Sequence, residues 1–379
     1  MARILAAMSG GVDSSVVAAL LADAGHEVIG VTLQLYDHGA ATGRKGACCA
    51  GQDIHDARRV ADALGIPHYV IDAERRFADA VIADFADAYA RGETPVPCVR
   101  CNQTVKFADL IALADMLGVE HLATGHYVRR TDGPAGPELH RARDETRDQS
   151  WFLFATTRAQ LARSLFPLGD MPNKDAVRAE AARRALPVAA KPDSQDICFV
   201  PRGSYADLVG KLRPEAAEPG EIVDLQGRRV GTHEGIGRYT VGQAKRLGPA
   251  GADGRVVVAL DAPRRRVVVG PRSEGRREIR LREANWLIAP PATPLRCMVK
   301  LRARDTLRPA EVVAGANGTA LVTLDAPALP APGQACVFYQ SDRVLGGGFI
   351  LAGAASVDAA LSPAISRPLP ARDGGVAQR

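Results

Sequence analysis

Residues 3–21, RILAAMSGGVDSSVVAALL, place a short apolar strand, a loop of glycine and serine, and an apolar helical repeat in direct succession. In an α/β sheet, such a loop crosses the carboxyl end of a strand and presents the first amides of a helix to a bound anion. Gly10 and Gly11 allow the backbone to approach phosphate oxygens, and Ser9 and Ser14 add hydroxyl donors. The stretch therefore predicts a phosphate-binding loop rather than a simple turn.

The same loop carries a carboxylate, Asp13, among its phosphate donors. This combination is expected where Mg²⁺ accompanies the phosphates, so Asp13 is a candidate metal ligand. The GxxxxGK[ST] spacing of Walker sites is absent. The stretch instead resembles the PP-loop, S-G-G-x-D-S, of the ATP pyrophosphatase families, which cleave ATP between its α and β phosphates and adenylate a substrate oxygen. The resemblance implies that the loop binds the departing pyrophosphate.

Strand and helix patterns alternate over the first two hundred residues as βαβα throughout, which is typical of a parallel sheet with crossover helices. After about residue 203, Gly and Pro become frequent between short β-like runs, and runs such as LRCMVKLRAR and QACVFYQ then suggest an antiparallel barrel. We expect an α/β fold of the PP-loop, adenine nucleotide alpha hydrolase-like type. The expected units are a catalytic domain over 1–203, a β-rich central module over 204–284, a C-terminal antiparallel β-barrel over 285–355 and a flexible tail over 356–379.

Charge and cysteine content narrow the class of protein. Lys and Arg number 48 against 43 Asp and Glu, a net charge of +5 that permits a polyanionic partner without requiring one. The sequence shows neither a secretory leader nor a membrane-spanning apolar run, so we expect a cytoplasmic protein without a membrane partner. Seven cysteines without an export signal argue against structural disulfides and for catalytic, redox or metal-binding thiols.

Three of the cysteines lie in polar settings, Cys98 and Cys101 in TPVPCVRCNQTVKF and Cys198 in KPDSQDICF. A zinc site would need a second close pair, and the adjacent Cys48 and Cys49 are poorly suited to one tetrahedral ion. A C-x-x-C redox couple is a second interpretation. Cysteines far apart in a PP-loop protein suggest a third, in which one thiol carries sulfur to an adenylated carbon and another resolves it.

Seven stretches occur in the order found in the bacterial tRNA-specific 2-thiouridylases: MSGGVDSS, TPVPCVRCNQTVKF, LATGHYVRR, TRDQSWFL, KPDSQDICFV, GIGRYTVGQAKRLG and PGQACVFY with LGGGFI. The resemblance spans about residues 3–352. It implies an enzyme that uses ATP and Mg²⁺ to thiolate the wobble uridine of tRNA at C2. ATP would adenylate the C2 oxygen and release pyrophosphate, and sulfur from a cysteine persulfide would displace AMP. The implied partners are tRNA and a cysteine desulfurase or sulfur-relay protein as the persulfide donor.

Carried over to this chain, the resemblance implies three groups of site residues. Cys101 is the catalytic nucleophile and Cys198 the persulfide carrier, and the two would form a transient disulfide. The nucleotide-binding residues are Ala7, Met8, Ser9, Gly10, Gly11, Val12, Asp13, Ser14, Leu33 and Gly125. The tRNA-binding residues are Pro95, Val96 and Pro97 near the target base, with His126, Arg147, Asp148, Gln149, Arg302, Ala303 and Gln334.

Two departures from the family pattern concern the site itself. Val96 and Cys98 stand where the family commonly has Asn and an acid/base Asp, and RDQS replaces KDQS. The role of Cys98 is therefore open between a thiol acid/base, a spare resolving thiol and a cluster ligand. The Arg at residue 147 retains the charge but changes the hydrogen-bond geometry.

The sulfur chemistry needs thiolates, so we expect Cys101 to lie near an activating helix N-terminus. Cys101 would attack the inner sulfur of the persulfide on Cys198 and release sulfide, or the released sulfur would pass through Cys101. The basic stretch KLRARDTLR, residues 300–308, is interpreted as a tRNA-binding segment.

Two other hypotheses remain open from the residues alone. The chain could be another PP-loop adenylating ligase that acts on a small molecule, in which case both cysteines would be dispensable. Alternatively, Cys98, Cys101 and Cys198 could together bind an iron-sulfur cluster used in the tRNA thiolation.

Overall fold

The computed structural model describes residues 1–36, 49–193, 197–200 and 204–352, and of residues 49 and 50 only the backbone. Cys48, whose role the sequence leaves open, and the predicted tail over 356–379 lie outside the described residues. Within the described ranges, each helix is too short or too polar to span a lipid bilayer.

The strands have the following bounds: β1 Arg3–Ala7, β2 Glu27–Gln34, β3 His68–Asp72, β4 His121–Ala123, β5 Val128–Gly133, β6 Gly136–Arg141, β7 Ser164–Leu165, β8 Gly220–Val223, β9 Arg229–His233, β10 Val256–Asp261, β11 Arg266–Gly270, β12 Arg276–Trp286, β13 Leu295–Lys300, β14 Arg308–Ala314, β15 Ala320–Ala328, β16 Ala335–Gln340 and β17 Arg343–Ile350.

The α-helices have the following bounds: α1 Val12–Asp23, α2 Cys49–Leu64, α3 Glu74–Phe77, α4 Ala83–Ala90, α5 Pro97–Cys101, α6 Phe107–Met116, α7 Arg158–Ala162, α8 Lys174–Arg183 and α9 Tyr205–Leu212. Two π-helical turns, Ala78–Ile82 and Asn102–Lys106, connect α3 to α4 and α5 to α6. Short 3-10 turns lie at Ser150–Phe152, Pro214–Ala217, Ile236–Arg238 and Gly248–Gly254.

A parallel five-stranded sheet in the order β3-β2-β1-β4-β7 forms the centre of the N-terminal part. β1 is buried on both faces: Ile4 packs into one apolar cluster with Val16 of α1, and Leu5 packs into the opposite one with Phe107 of α6. This burial explains why β1 is a continuous apolar run in the sequence. The predicted α/β class is confirmed.

The order of the strands places β1 between β2 and β4, so the chain leaves the central strand toward both edges of the sheet. In open parallel sheets, ligands bind at such a switch point, outside the carboxyl ends of the strands. The loops that follow β1 and β4 therefore face each other across the expected ligand position.

A β-hairpin, β5 with β6, interrupts the predicted alternation, so the expectation of βαβα throughout the first two hundred residues is wrong here. Gly133 pairs with Gly136, so Pro134 and Ala135 form a two-residue connection, a common loop length in β-hairpins. Strand β6 also pairs with β17, with Val344 opposite Leu139, so this hairpin extends the sheet of the C-terminal barrel. The alternation fails because a partner for the hairpin lies two hundred residues further along the chain.

The remaining strands form two further sheets. The central one has the order β10-β11-β8-β9, and helix α9 precedes it within the region predicted as β-rich. The C-terminal one has the order β12-β15-β14-β13-β16-β17 and closes through the pairing of β12 with β17. The predicted antiparallel barrel is confirmed, and its first strand contains residues 284 and 285, where the sequence suggested a boundary.

The segment before α5 is anchored by both C-terminal sheets. The backbone amide of Thr94 donates to the carbonyl oxygen of Pro332 at 2.7 Å, and the side-chain amide of Gln334 donates to the carbonyl oxygen of Thr94 at 2.9 Å. The Thr94 hydroxyl donates to that of Thr240 at 3.2 Å. Residues 94–97 therefore lie at a three-way junction.

Helix α5 is joined to the barrel by Arg100. Its guanidinium donates to Glu283 of β12 at 2.7 Å, lies 3.4 Å from Asp84 and stacks 4.4 Å from the ring centroid of Phe349. Only 16% of the Arg100 side chain is exposed, against 41% of Glu283, so the guanidinium of this pair is better shielded from solvent than that of a surface ion pair.

We expect Arg100→Met to lower the free energy of unfolding by about 1–2 kcal/mol, because it leaves two carboxylates without their shielded partner. Arg296→Met is the matched control, since Arg296 pairs with Asp325 across the exposed face of the barrel and should lose less than about 0.5 kcal/mol. Urea titration of both variants tests this, and equal losses would contradict a docking role for Arg100.

Candidate functional site

The loop after β1 is built for close approach of its backbone to a ligand. The amide of Met8 donates to the carbonyl of Val31 at 2.7 Å, which continues the strand pairing into the loop. Gly10 then adopts a φ of +72°, and a Cβ there would lie 2.1 Å from the carbonyl oxygen of Asp53. Only glycine fits this position.

Helix α1 begins directly after the loop with no side-chain cap at Gly11. Its first amides are therefore available to an anion, and the helix dipole favours negative charge there. The Ser14 hydroxyl is turned inward, since it accepts from the Ser9 amide at 3.1 Å, whereas the Ser9 side chain is exposed. The loop thus combines free amides with one accessible hydroxyl.

Gly125 lies where β4 ends, beside the start of α1. A Cβ on Gly125 would be 3.1 Å from the amide nitrogen of Ser14 and 3.3 Å from Asp13. The two loops at the switch point are therefore in contact, and the structure brings Gly125 together with the predicted loop residues 7–14. Leu33, at the end of β2, is half-buried between two apolar clusters on the same edge of the sheet.

Asp13 is the centre of a polar network. Lys174 donates to both of its carboxylate oxygens at 2.7 Å, and the Tyr127 hydroxyl donates to one of them at 2.7 Å. Lys174 also lies 3.0 Å from Asp193, which in turn pairs with Arg147 at 3.0 Å and Arg178 at 2.9 Å.

This network limits how Mg²⁺ would bind. Among the described residues, no group of three or more His, Cys, Asp and Glu side chains is placed to ligate a metal ion. An all-protein cage around Asp13 therefore does not fit. Mg²⁺ bound mainly by phosphate oxygens and water, with Asp13 as a single protein ligand, does fit, because this ion commonly keeps such ligands.

Lys191 connects the loop after β1 to helix α2. Its ammonium donates to the carbonyl oxygen of Gly10 at 2.9 Å and to the carboxylates of Asp53 and Asp56 at 2.7 Å each. Burial opposes ionisation of Asp56, but the bonds from Lys191 and Gln52 keep its pKa below the usual value. The loop conformation is thus stabilised by charge as well as by packing.

Three free thiols gather beside the same edge of the sheet. Cys101 is 5% exposed and packs in a cluster with Val105 and Phe199. Phe199 directly follows Cys198 in the chain. Cys98 is exposed in the first turn of α5. Cys198 is also exposed, although the surrounding protein is dense enough for burial to raise its pKa. Cys297 and Cys336 lie far from this group, inside the barrel.

Lys106 is the charged group shared by these thiols. Its ammonium interacts electrostatically with Cys98, Cys101 and Cys198, and within the described residues it makes no hydrogen bond or ion pair. Burial raises the pKa of Cys101, and raises that of Cys198 to about 11, while Lys106 acts in the opposite direction on both. Burial would lower the pKa of Lys106, but the three sulfurs raise it.

The π-helical turn over residues 102–106 explains the position of Lys106. In a regular α-helix, a residue five positions after Cys101 points to a different face, about 140° away. A π turn has more residues per turn, so it brings position 106 back toward the face of Cys101. The turn is closed by the Phe107 amide, which donates to the carbonyl of Asn102.

The expected helix N-terminus beside Cys101 is found one turn earlier. Pro97 is the first residue of α5, so Cys98 occupies the first turn, and Cys101 is its buried last residue. The activation of Cys101 by a helix N-terminus is therefore corrected to an interaction with Lys106. The cluster hypothesis for the three cysteines gains no support from the part of the chain described, where no metal-binding group is found.

The residues expected to contact tRNA lie in different settings. His126 stacks on Phe107, and burial with the charge of Lys106 lowers its pKa to about 3, so its ring is neutral. Arg147 is exposed. Asp148, whose side chain is 2% exposed, accepts bonds from Arg141, Ala142 and Ser150, and Gln149 is bonded to the backbone of Tyr127.

The other expected tRNA contacts belong to the three-way junction and the barrel. Pro95, Val96 and Pro97 lead into α5, and Gln334 secures the preceding Thr94. Ala303 packs at the edge of the core, and Arg302 donates to the carbonyl oxygen of Val241 at 2.6 Å.

Arg302 also lines an open cleft of about 500 Å³ between the central sheet and the barrel. In the described part of the chain, Arg272, Arg302 and Arg304 form no ion pair, although salt bridges are common elsewhere on the surface. Burial, with the charges of Arg272 and Arg308, lowers the pKa of Arg302. The lining residues are Gly242, Arg272, Leu301, Arg302, Arg304, Asp305, Arg308, Pro327, Ala328 and Leu329.

Sequence reasoning did not identify Lys106, Lys174, Lys191 and Asp193. Lys106 lies inside the quoted stretch TPVPCVRCNQTVKF, and Lys191 and Asp193 lie in KPDSQDICF, so their proximity to the cysteines was an available signal. Lys174 belongs to none of the quoted motifs, and no local pattern in the sequence indicates its contact with Asp13.

Comparison with known families gives three successive matches. They are the tRNA methyl transferase HUP domain over residues 2–202, the tRNA methyl transferase PRC-barrel domain over residues 207–271 and the aminomethyltransferase beta-barrel domain over residues 276–350.

Several curated relatives named tRNA-specific 2-thiouridylase MnmA match over nearly their whole length, among them the following three. The protein of Acidiphilium cryptum is 72% identical and covers 92% of this chain and 100% of its own. That of Gluconobacter oxydans is 64% identical, covering 93% and 99%, and that of Rhodospirillum centenum is 57% identical, covering 98% and 96%. The domain descriptions mention methyl transfer, but these long matches carry the thiouridylase name.

Among solved structures, similarity is found to a 4-thiouridine synthetase in complex with RNA and bound ATP. The TM-score is 0.33 at 14% sequence identity, covering 56% of this chain and 51% of that one.

We expect Gly10→Ala to abolish binding of pyrophosphate and to destabilise the protein by at least about 2 kcal/mol, because the new methyl group meets the Asp53 carbonyl. Gly25→Ala is the control: its φ is +79° but nothing lies within 4 Å of the added Cβ, so only about 1 kcal/mol of backbone strain is expected. Calorimetric titration and urea unfolding measure both effects. Unaltered pyrophosphate binding by Gly10→Ala would refute the assignment of the loop.

Proposed function

Because this chain belongs to the tRNA-specific 2-thiouridylase family, we propose that it uses ATP to replace the C2 oxygen of the wobble uridine of tRNA with sulfur. The chain is a tRNA-uridine 2-sulfurtransferase, an enzyme of tRNA processing. The observation that best supports the proposed mechanism is a chain of contacts from the loop to the thiols. Gly125 lies against Ser14 of the loop, the neighbouring His126 interacts with Lys106, and Lys106 interacts with the three thiols. A similar loop without nearby thiols would instead favour the alternative hypothesis, a PP-loop ligase that adenylates a small molecule.

In the first step, ATP occupies residues 7–14 with its phosphates at the free amides of α1, and Leu33 and Gly125 border the nucleotide. The C2 oxygen of the uridine attacks the α-phosphorus, the bond to the β-phosphate oxygen breaks, and pyrophosphate leaves. Asp13 would bind Mg²⁺, which supplies positive charge to the departing pyrophosphate. The adenylated oxygen is then a good leaving group.

In the second step, Cys198 carries a persulfide that a cysteine desulfurase or sulfur-relay protein has supplied. The Cys101 thiolate attacks the inner sulfur of this persulfide, a disulfide forms between Cys101 and Cys198, and hydrosulfide leaves. The hydrosulfide attacks C2 and displaces AMP. A reductant must then restore the two thiols before the next turnover.

Lys106 supplies the positive charge that this step requires. Both reacting thiols are resistant to ionisation because burial raises their pKa. A nearby ammonium stabilises the thiolate over the thiol, and Lys106 interacts with both sulfurs. Cys98 is within the same field and would serve as a third thiol in this site.

The tRNA is bound by surfaces at both ends of this site. Residues 95–97 border the target base, which must leave the anticodon stack to react. Arg147 and His126 flank the nucleotide loop, and the arginine cleft around Arg302 offers unpaired guanidinium groups to backbone phosphates. We also propose a cytoplasmic location and the division into units over 1–203, 204–284 and 285–355.

We expect Cys101→Ser and Cys198→Ser each to reduce thiolation of tRNA at least about 100-fold, because each removes a reacting sulfur. Release of pyrophosphate in the presence of tRNA should continue, since adenylation does not use either thiol. Mass spectrometry of the tRNA nucleosides provides the measurement, and Cys297→Ala in the barrel is the control. Full thiolation by either serine variant would rule out its assigned role.

The pH dependence of thiol alkylation tests Lys106. Removing its charge in Lys106→Met should raise the pKa of Cys101, so that the inflection of iodoacetamide reactivity moves to higher pH by about one unit and the rate at pH 8 falls up to about tenfold. Lys106→Arg retains the charge and should retain most of the reactivity. Peptide mass spectrometry assigns the rate to each cysteine. An unchanged profile in Lys106→Met would exclude this role.

A further inference from the structure

Residues 147–151 connect the nucleotide-binding part of the chain to the C-terminal barrel, and three of them are expected tRNA contacts. On the barrel side, the Ser150 hydroxyl lies 3.2 Å from that of Tyr339, and both residues are fully buried. The Trp151 indole donates to the carbonyl oxygen of Lys300 at 3.4 Å. The stretch is therefore bonded to β13 and β16, two neighbouring strands of the barrel.

Gln149 makes the contact on the nucleotide side. Its side-chain oxygen accepts from the Tyr127 amide at 3.0 Å, and its backbone amide donates to the Tyr127 carbonyl oxygen at 3.0 Å. Both backbone groups of Tyr127 are therefore bonded to this one residue. Within the described ranges, the side-chain NH2 group of Gln149 makes no hydrogen bond, and the residue is half-buried, so an RNA oxygen can reach these two donors.

Tyr127 extends this connection into the nucleotide loop. Its hydroxyl donates to the Asp13 carboxylate at 2.7 Å. Burial, together with the charge of Asp13, raises the pKa of Tyr127, so the hydroxyl keeps the proton that it donates. Gly125, two residues earlier, lies against Ser14. The loop after β4 therefore touches the nucleotide loop at two points, and Gln149 holds the backbone of the residue that makes the second contact.

The contact between Tyr127 and Asp13 allows two arrangements. The Asp13 side chain is 31% exposed, so water can replace the phenol as its partner when Tyr127 shifts. A tRNA bound to Gln149 favours the arrangement in which Tyr127 is held, and a nucleotide in the loop over residues 7–14 favours the one in which Asp13 is held. Two ligands that favour the same arrangement strengthen each other's binding by one common factor.

We propose that Gln149 and Tyr127 are positioning residues that couple the binding of tRNA to the binding of nucleotide through Asp13. The inference rests on the proposed use of ATP and tRNA by this chain. It gives Gln149 a second task, because the residue expected to meet the RNA also holds the backbone of Tyr127. The coupling makes the nucleotide bind most tightly in the tRNA complex, where a uridine is present to accept the adenylate.

The test is equilibrium binding of α,β-methylene-ATP with Mg²⁺, without tRNA and with a saturating unmodified transcript that has a uridine at the wobble position. We expect the transcript to tighten binding of the analogue by the wild type about 5- to 20-fold. Tyr127→Phe removes only the hydroxyl that reaches Asp13, so this factor should fall below about twofold, while the affinity for the transcript alone changes less than about twofold. A merely structural defect would weaken the analogue equally with and without tRNA and leave the factor unchanged.

Two further variants place the residues on one path. Gln149→Met should lower the factor as far as Tyr127→Phe does, and the double variant should lower it no further, because both changes interrupt the same connection. Tyr89→Phe is the matched control, since the Tyr89 hydroxyl bonds to Tyr205 outside this path, and it should keep the wild-type factor.

The inference is overturned if the wild type binds both ligands with a factor near one, or if Tyr127→Phe keeps the wild-type factor, which would assign the coupling to Arg147 and its partner Asp193 instead. Losses that add up in the double variant would also overturn it. If Tyr127→Phe fails to fold, Gln149→Met alone decides the outcome. Failure of the wild type to bind the analogue or the transcript would instead refute the proposed function, so the two failures are distinguishable.

Discussion

The contact between two loops at the switch point of the parallel sheet is the constraint on which the rest of the site depends. The loop after β1 can pass between Asp53 and the start of α1 because residue 10 has no side chain, and the loop after β4 can approach Ser14 for the same reason at residue 125. This close approach leaves the first amides of α1 open. Every other charged group of the nucleotide site, including Lys174 and Lys191, is arranged around that opening.

Electrostatics then determines what the neighbouring thiols can do. Cys101 lies where apolar packing excludes water, and this burial raises its pKa and disfavours its thiolate, whereas Cys98 and Cys198 are exposed. The charge of Lys106, shared by Cys101 and Cys198, opposes the effect of burial on the pKa of both. The π turn is the local irregularity that makes the sharing possible, since a regular helix would direct residue 106 away from Cys101. Such turns are often found at functional sites.

The fold class and the nucleotide loop could be predicted from the sequence because both depend on local patterns: an apolar strand, glycines at fixed spacing and a helical repeat. The barrel was likewise predictable from short alternating runs. The β5–β6 hairpin was not, since its partner β17 is about two hundred residues distant. Lys174 and Asp193 were not predicted because Lys174 contacts Asp13 in a distant part of the chain, and Asp193 in turn contacts Lys174. Cys101 was assigned to a helix N-terminus because the sequence does not reveal where α5 begins.

The junction at Thr94 explains why the catalytic segment and the C-terminal barrel need each other. Before the segment that leads to Cys98 and Cys101, the backbone of Thr94 bonds to Pro332 and Gln334, and the Thr94 hydroxyl bonds to that of Thr240. Arg100 adds a shielded ion pair to the same interface. A tRNA that contacts the barrel therefore acts on a surface bonded directly to the backbone before the reactive helix. Because those bonds are short and fixed, binding of the RNA and alignment of the thiols are expected to depend on one rigid interface rather than on two independent surfaces.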